Sequence, residues 1–258
     1  MFPNFARPGV GLKPKREPTR PLLPQHARHC PVLEAGSGAG FLVYAPVEPR
    51  ESYYVEYEGK GRYKFVYYLQ AQGGRTSPIF AVSITLPPGG AGPVREEVAF
   101  LGAAAIPRED AAKVARVFLV FEDLGAPPGA VPLRGATNFL TPAGWDTTYT
   151  PIFNMIERPM LPMVAVRVET DRGAHETSFR YVLQPGEGIS VSHSVPIGQV
   201  FFVPREDAVM RECTPEEVAA IRQSQSAFAR HKSEAAQRTP YGLTFSPHYL
   251  RQSRAQRP

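Results

Sequence analysis

The sequence predicts a mainly β fold: an antiparallel, jelly-roll-like β-sandwich with one C-terminal helix and an extended N-terminal arm. Three observations carry that prediction. Short runs of Val, Ile, Phe and Tyr recur along the chain, and Pro and Gly, 28 and 22 of 258 residues, punctuate them. One segment, beginning at Thr214, pairs a helix start signal with a helical apolar stripe. With 15 Phe and 11 Tyr the chain has enough large side chains for a core, so the Pro and Gly excess marks turns rather than disorder. A sandwich of this length commonly remains one domain.

Residues 1–31 read as an extended basic arm. Pro3, Pro8, Pro14, Pro18, Pro21, Pro24 and Pro31 forbid a helix there and interrupt strand pairing. The β-sandwich domain spans 32–213. Residues 41–45 form a short apolar strand between Gly and Pro, and 52–69, interrupted by Glu58-Gly59-Lys60-Gly61, read as a hairpin. The clearest buried strand is 79–86, followed by a Pro/Gly breaker at 87–93 and a further strand at 94–101. One or two helical turns are expected at 107–113 and a strand at 114–121, before a second breaker at 125–129. Short strands follow at 161–169, 177–183, 189–193 and 199–203, a spacing typical of sandwiches and barrels. The last segment, 214–258, holds a helix over 215–230. Thr214 caps it, Pro215 takes the first helical position and Glu217 the third, and Val218, Ile221 and Phe228 share one face. A basic tail follows, with Tyr241, Phe245, Tyr249 and Leu250 as apolar anchors.

Charge is unevenly distributed. Residues 1–28 carry six Lys or Arg against Glu17, and residues 218–258 carry seven against Glu234, so the overall +5 leaves 29–217 at −6. An acidic body with basic arms predicts a homo-oligomer, or docking onto an acidic protein partner, ahead of nucleic acid. No apolar run reaches the roughly 18 residues that span a bilayer, and the first residues lack a secretory apolar stretch. The expected location is the cytoplasm, or a phage particle for a phage-encoded chain. Cys30 and Cys213 form no metal or redox motif and are expected as buried free thiols, a disulfide between them remaining open.

Catalytic signatures are sparse. Gly36-Ser37-Gly38-Ala39-Gly40 lacks a following Gly-Lys-Ser/Thr and a strand-turn-helix context, so it reads as a flexible turn. Glu169 and Asp171, two apart on a strand end, would project to one side and could do acid–base work or bind a cation. Capping the turn at Arg172-Gly173 and pairing with an arginine is the plainer reading. His175 adjoins Glu176, facing the opposite side of a strand, and His193 has Val191 and Val195 as same-face neighbours. Neither meets the spacing of a His-x-His or His-x-carboxylate site, so no metal and no cofactor is expected. Glu169, Asp171, His175 and His193 are the catalytic candidates; Trp145 and Asn154 are the ligand-binding candidates, with core anchoring the favoured role for Trp145.

From Arg134 to Glu206 the chain carries Thr141-Pro142-Ala143-Gly144-Trp145, Asn154, Arg158-Pro159, Glu169-Thr170-Asp171, Pro185-Gly186-Glu187-Gly188 and Pro196-Ile197-Gly198-Gln199. In this order the motifs resemble an uncharacterised protein family of bacteria and phages, whose N-terminal half the Cys30-Pro31 pair also resembles. That resemblance implies shared fold and, through the phage members, a particle-associated role. The last two motifs are also similar to the turn-strand-turn of cupins, which would imply a metal-dependent enzyme such as an oxygenase. The expected function is a non-catalytic binding or assembly module; the cupin-like enzyme is the alternative.

Overall fold

The structure, a computed structural model, describes residues 1–18, 30–71, 73–87, 93–102, 106–119, 127–155, 163–173, 175–206, 208–238, 240, 242 and 244–255. Most of the first breaker, the distal arm from 19 to 29, the end of the 114–121 run, residues 125–126, Arg158-Pro159, the start of the 161–169 strand and Tyr241 lie outside these residues. So do the side chains of Phe245 and Leu250.

In chain order the elements are β1 (Phe2–Pro3), α1 (Pro31–Gly38), β2 (Phe41–Tyr44), β3 (Glu51–Gly59), β4 (Arg62–Gln70), β5 (Thr76–Thr85), β6 (Arg95–Phe100) and α2 (Arg108–Phe118). There follow β7 (Ala130–Arg134), β8 (Thr137–Asn138), β9 (Trp145–Thr150), β10 (Met163–Val164), β11 (Val166–Val168), β12 (Ser178–Val182), β13 (Gly188–Ser192) and β14 (Pro196–Pro204). The chain closes with α3 (Pro215–Glu234), β15 (Gln237–Arg238), β16 (Thr244–Phe245) and α4 (His248–Ala255).

The fold is mainly β, and every pairing is antiparallel. β3 to β6 meander into a sheet that β13 extends, in the order β13-β3-β4-β5-β6; facing it are a four-stranded sheet, β11-β9-β14-β2, and a three-stranded sheet, β10-β12-β7. The expected hairpin turns at Lys60-Gly61, both at positive φ (53° and 73°), the type I′ geometry whose twist matches paired strands. One apolar cluster fills the space between the layers. Val55, Phe65 and Phe80 enter it from the five-stranded sheet, Val43, Tyr149 and Val200 from the four-stranded sheet, and Val131, Leu133 and Phe179 from the three-stranded one. The sheets are open at their edges, so this is a sandwich and not a closed barrel.

Four expectations need correction. Residues 114–118 continue a helix instead of starting a strand: Ala111, Ala115 and Phe118, at helical spacing, are the buried face of α2. Packing decides this, because Phe118 stacks on Tyr53 at 4.8 Å between ring centres and also lies against Phe65 and Tyr67. The Gly-Ser-Gly-Ala-Gly run is no flexible turn; α1 extends to Gly38, Ser37 is buried, and Gly40 turns into β2 at φ 68°. A Cβ on Gly40 would stand 2.1 Å from the Val200 carbonyl oxygen, so the close approach to β14 requires glycine. Cys30 and Cys213 are both free, but Cys213 is exposed, in the stretch leading to α3. Six short strands, β1, β7, β8, β9, β15 and β16, arise where none was expected. β7 tolerates Pro132 as the edge of its sheet, and β9 reads Trp-Asp-Thr-Thr-Tyr-Thr, too polar for an apolar-run signal.

The described half of the N-terminal arm is extended, yet it lies on its own body. β1 pairs with β8, and Lys15 exchanges two backbone hydrogen bonds with Leu42 at the free edge of β2 (3.2 and 2.8 Å). Asn4 is fully buried: its amide donates to the Gly135 carbonyl at 2.8 Å, and its side-chain oxygen accepts from the Ala6 and Arg7 amides. α3 has the expected capping box, Thr214 and Glu217 each bonding the other's backbone, and runs four residues beyond the expected end. No described helix is long and apolar enough to cross a membrane.

Candidate functional site

The TPAGW turn, the ETD stretch and the end of β14 meet at one edge of the four-stranded sheet. Trp145 bonds back to the Pro142 carbonyl, with Gly144 at φ 79°, the conformation a type II turn needs at its third residue. The Arg205 amide donates to the Gly144 carbonyl at 2.7 Å, tying the turn to β14. Beneath it, Thr170 Oγ1 lies 2.8 Å from both Thr141 Oγ1 and Thr147 Oγ1, a buried chain of hydroxyls.

Two carboxylates and two guanidiniums close the edge. Arg205 reaches Asp146 and Asp171, each at 2.6 Å, and Arg167 Nε donates to the other oxygen of Asp146 at 2.7 Å. Asp171 also accepts from the Gly144 amide at 2.9 Å. The Arg205 bond is the main cause that holds both carboxyls below their ordinary values, helped by Arg167 at Asp146 and by the Gly144 amide at Asp171. The same two partners push the Arg205 guanidinium up. A general base must be free to take a proton at its working pH, and Asp171 is ionised, paired and capped. Its oxygens are spent on Arg205 and the Gly144 amide.

The remaining candidates lie apart from it. β11 ends at Val168, so Glu169 and Asp171 belong to a turn; Glu169 is exposed and pairs with Arg172 at 3.0 Å instead of projecting beside Asp171. His175 is exposed, whereas His193, after β13, donates from Nδ1 to the Val47 carbonyl at 2.7 Å. Among the described residues no three His, Cys, Asp or Glu side chains are grouped as metal ligands. Asn154, at φ 57°, donates to Ser37 Oγ at 3.0 Å and to the Leu33 carbonyl at 3.4 Å, clipping α1 against the loop after β9. Gln199 fastens the same loop from below, accepting from the Phe153 amide and donating to the Ala39 carbonyl. Trp145 is 41% exposed and is no core anchor, whereas Asp146, on the opposite face of β9, is buried beneath Arg167 and Arg205.

Among the described residues, the most connected charged group is one that no local sequence pattern marks. Glu51 accepts from Arg7 at both oxygens (2.5 and 3.1 Å), from the Tyr67 hydroxyl at 2.6 Å and from the Glu48 amide at 2.7 Å. Burial pushes its carboxyl up, but those hydrogen bonds outweigh burial and leave it below its ordinary value. Arg7 also bonds the Pro46 carbonyl and lies over the Phe118 ring, so this cluster clasps the arm to the body. No local pattern joins residues 44 apart.

No family model matches the chain, and no curated protein or solved structure shows significant similarity to it.

Proposed function

We propose that the protein is a non-catalytic assembly module that associates with copies of itself or docks an acidic protein partner. The observation that carries this reading is α3. None of its 20 residues is buried, although Val218 and Ile221 face outward at 36% and 47% exposure, and Val209 and Met210 just before it are 91% and 94% exposed. Helices in proteins draw most of their stability from packing an apolar face, and large apolar side chains left in solvent mark contact surfaces. The polar candidates point the same way: each is satisfied by its own neighbours or stands alone on the surface, so they form no common cleft. The first 18 residues are engaged on their own body, and among the described residues the C-terminal segment carries the most exposed apolar side chains, Val209 and Met210. The resemblance to a family with phage members fits a particle-associated setting.

Sedimentation velocity on the full chain over a dilution series tests the reading. It predicts a species larger than one subunit at the higher concentrations, weakened only partly by salt because apolar contacts share the interface with charges. A single subunit at every concentration, capturing no acidic protein partner, overturns it.

A further inference from the structure

We infer that α3 is a self-association helix, pairing antiparallel with α3 of a second copy about a two-fold axis at Gln225. The inference rests on the assembly reading and names its surface. Val218, Ile221, Gln225, Phe228 and Lys232 recur at spacings of three and four, which places them on one stripe of the helix, the seam pattern of paired helices. The stripe is covered at one end only. Phe228 packs against His248 and Tyr249 of α4, with ring centres 5.1 and 6.5 Å away, while Val218 and Ile221 face solvent.

Symmetry and charge select the occupant. Gln225 stands midway along the stripe, so an antiparallel partner sets Ile221 of one helix beside Phe228 of the other. It also sets the two Gln225 amides face to face, where each can donate to and accept from its twin. Glu216 and Glu217 lie in the first turn of α3, with one arginine, Arg211, bonded to Glu217; the last turn carries His231 and Lys232, with Arg230 just before them. Glu234, bridged to Arg230, offsets one of these cations, and the middle of the helix from 223 to 229 is uncharged; antiparallel pairing therefore sets Glu216 and Glu217 against His231 and Lys232, whereas a parallel pair would oppose like charges at both ends. Helix dipoles favour the same arrangement. A contact about 30 Å long and one helix wide is smaller than the roughly 1,200 Å² of a stable specific interface, so pairing through α3 is reversible and concentration dependent. Val209 and Met210 extend it beyond the end of the partner helix.

The test uses the full chain. Ile221→Asp is expected to shift the association midpoint to at least about tenfold higher concentration, the effect of losing a central apolar contact, while the melting temperature read at dilutions where both proteins are single subunits stays unchanged, because Ile221 is half exposed in the single chain. Orientation is read by oxidative cross-linking in a background where both free thiols are removed, Cys30→Ser and Cys213→Ser. Val218→Cys protein mixed with Lys232→Cys protein should give cross-linked heterodimers, and Val218→Cys protein alone should give none. Cross-linking of Val218→Cys with itself overturns the antiparallel arrangement. An oligomer that ignores Ile221→Asp overturns the role of α3 while leaving the assembly reading intact, and a wild-type chain that never associates overturns both.

Discussion

Three carboxyls, Glu51, Asp146 and Asp171, hold distant segments together, and all three sit below their ordinary values. A depressed native value means the unfolded chain takes up protons first, so this stabilisation is complete above about pH 4.5, the ordinary Glu value, and is lost as pH falls through the native values. The melting temperature should therefore be nearly flat from neutral pH down to about 5 and fall steeply below 4.5. Glu51→Gln should lower it at neutral pH and make the acid-side fall shallower; an unchanged acid-side slope would contradict the Arg7–Glu51 clasp. Tyr53 offers the opposite sign. Its hydroxyl is buried with no hydrogen-bond partner among the described residues, so Tyr53→Phe removes an unsatisfied polar group and keeps the ring on Phe118. Urea unfolding should show a gain of about 1 kcal/mol. Asn4→Ala should lose about 2 kcal/mol, since three backbone groups bonded to its side chain lose their partner at once.

At the scale of elements, α2 shows where local signals and packing part company. Val114 to Phe118 favours a strand by composition, but Ala111, Ala115 and Phe118 fit one helical face, and the aromatic ring cluster below rewards that face. Phe118→Ala should cost about 3–5 kcal/mol and loosen the arm as well, because Arg7 lies over the same ring. Strands with apolar runs, such as β2 and β5, and the hairpin at Lys60-Gly61 were legible from composition and turn chemistry. β9 was not, because its buried polar residues Asp146 and Thr147, on opposite faces, are satisfied by Arg205 and Thr170, partners visible only after folding. The TPAGW and ETD motifs stand out in the sequence, and they do meet; what spacing does not reveal is that Arg205 joins them, clamping Asp171 instead of leaving it beside Glu169. Gly198 belongs to the same class of hidden constraint: a Cβ there would stand 2.0 Å from the Phe179 ring, so Gly198→Ala should destabilise the junction of β14 with β12.

Over the whole molecule the charge asymmetry resolves into two unlike ends. The N-terminal end is spent on its own body through β1, Asn4, Arg7 and Lys15, whereas α3 has no buried residue and turns Val218 and Ile221 to solvent. Removing the N-terminal residues should therefore destabilise the sandwich, and altering α3 should change association without changing stability. Native mass spectrometry of the purified full chain tests the central claim most directly, since subunit count, retained metal and bound small molecules are read from one spectrum. The account predicts multiples of the subunit mass that collapse to single subunits in Ile221→Asp; single subunits at every concentration, each retaining one transition metal or one small molecule, would contradict it.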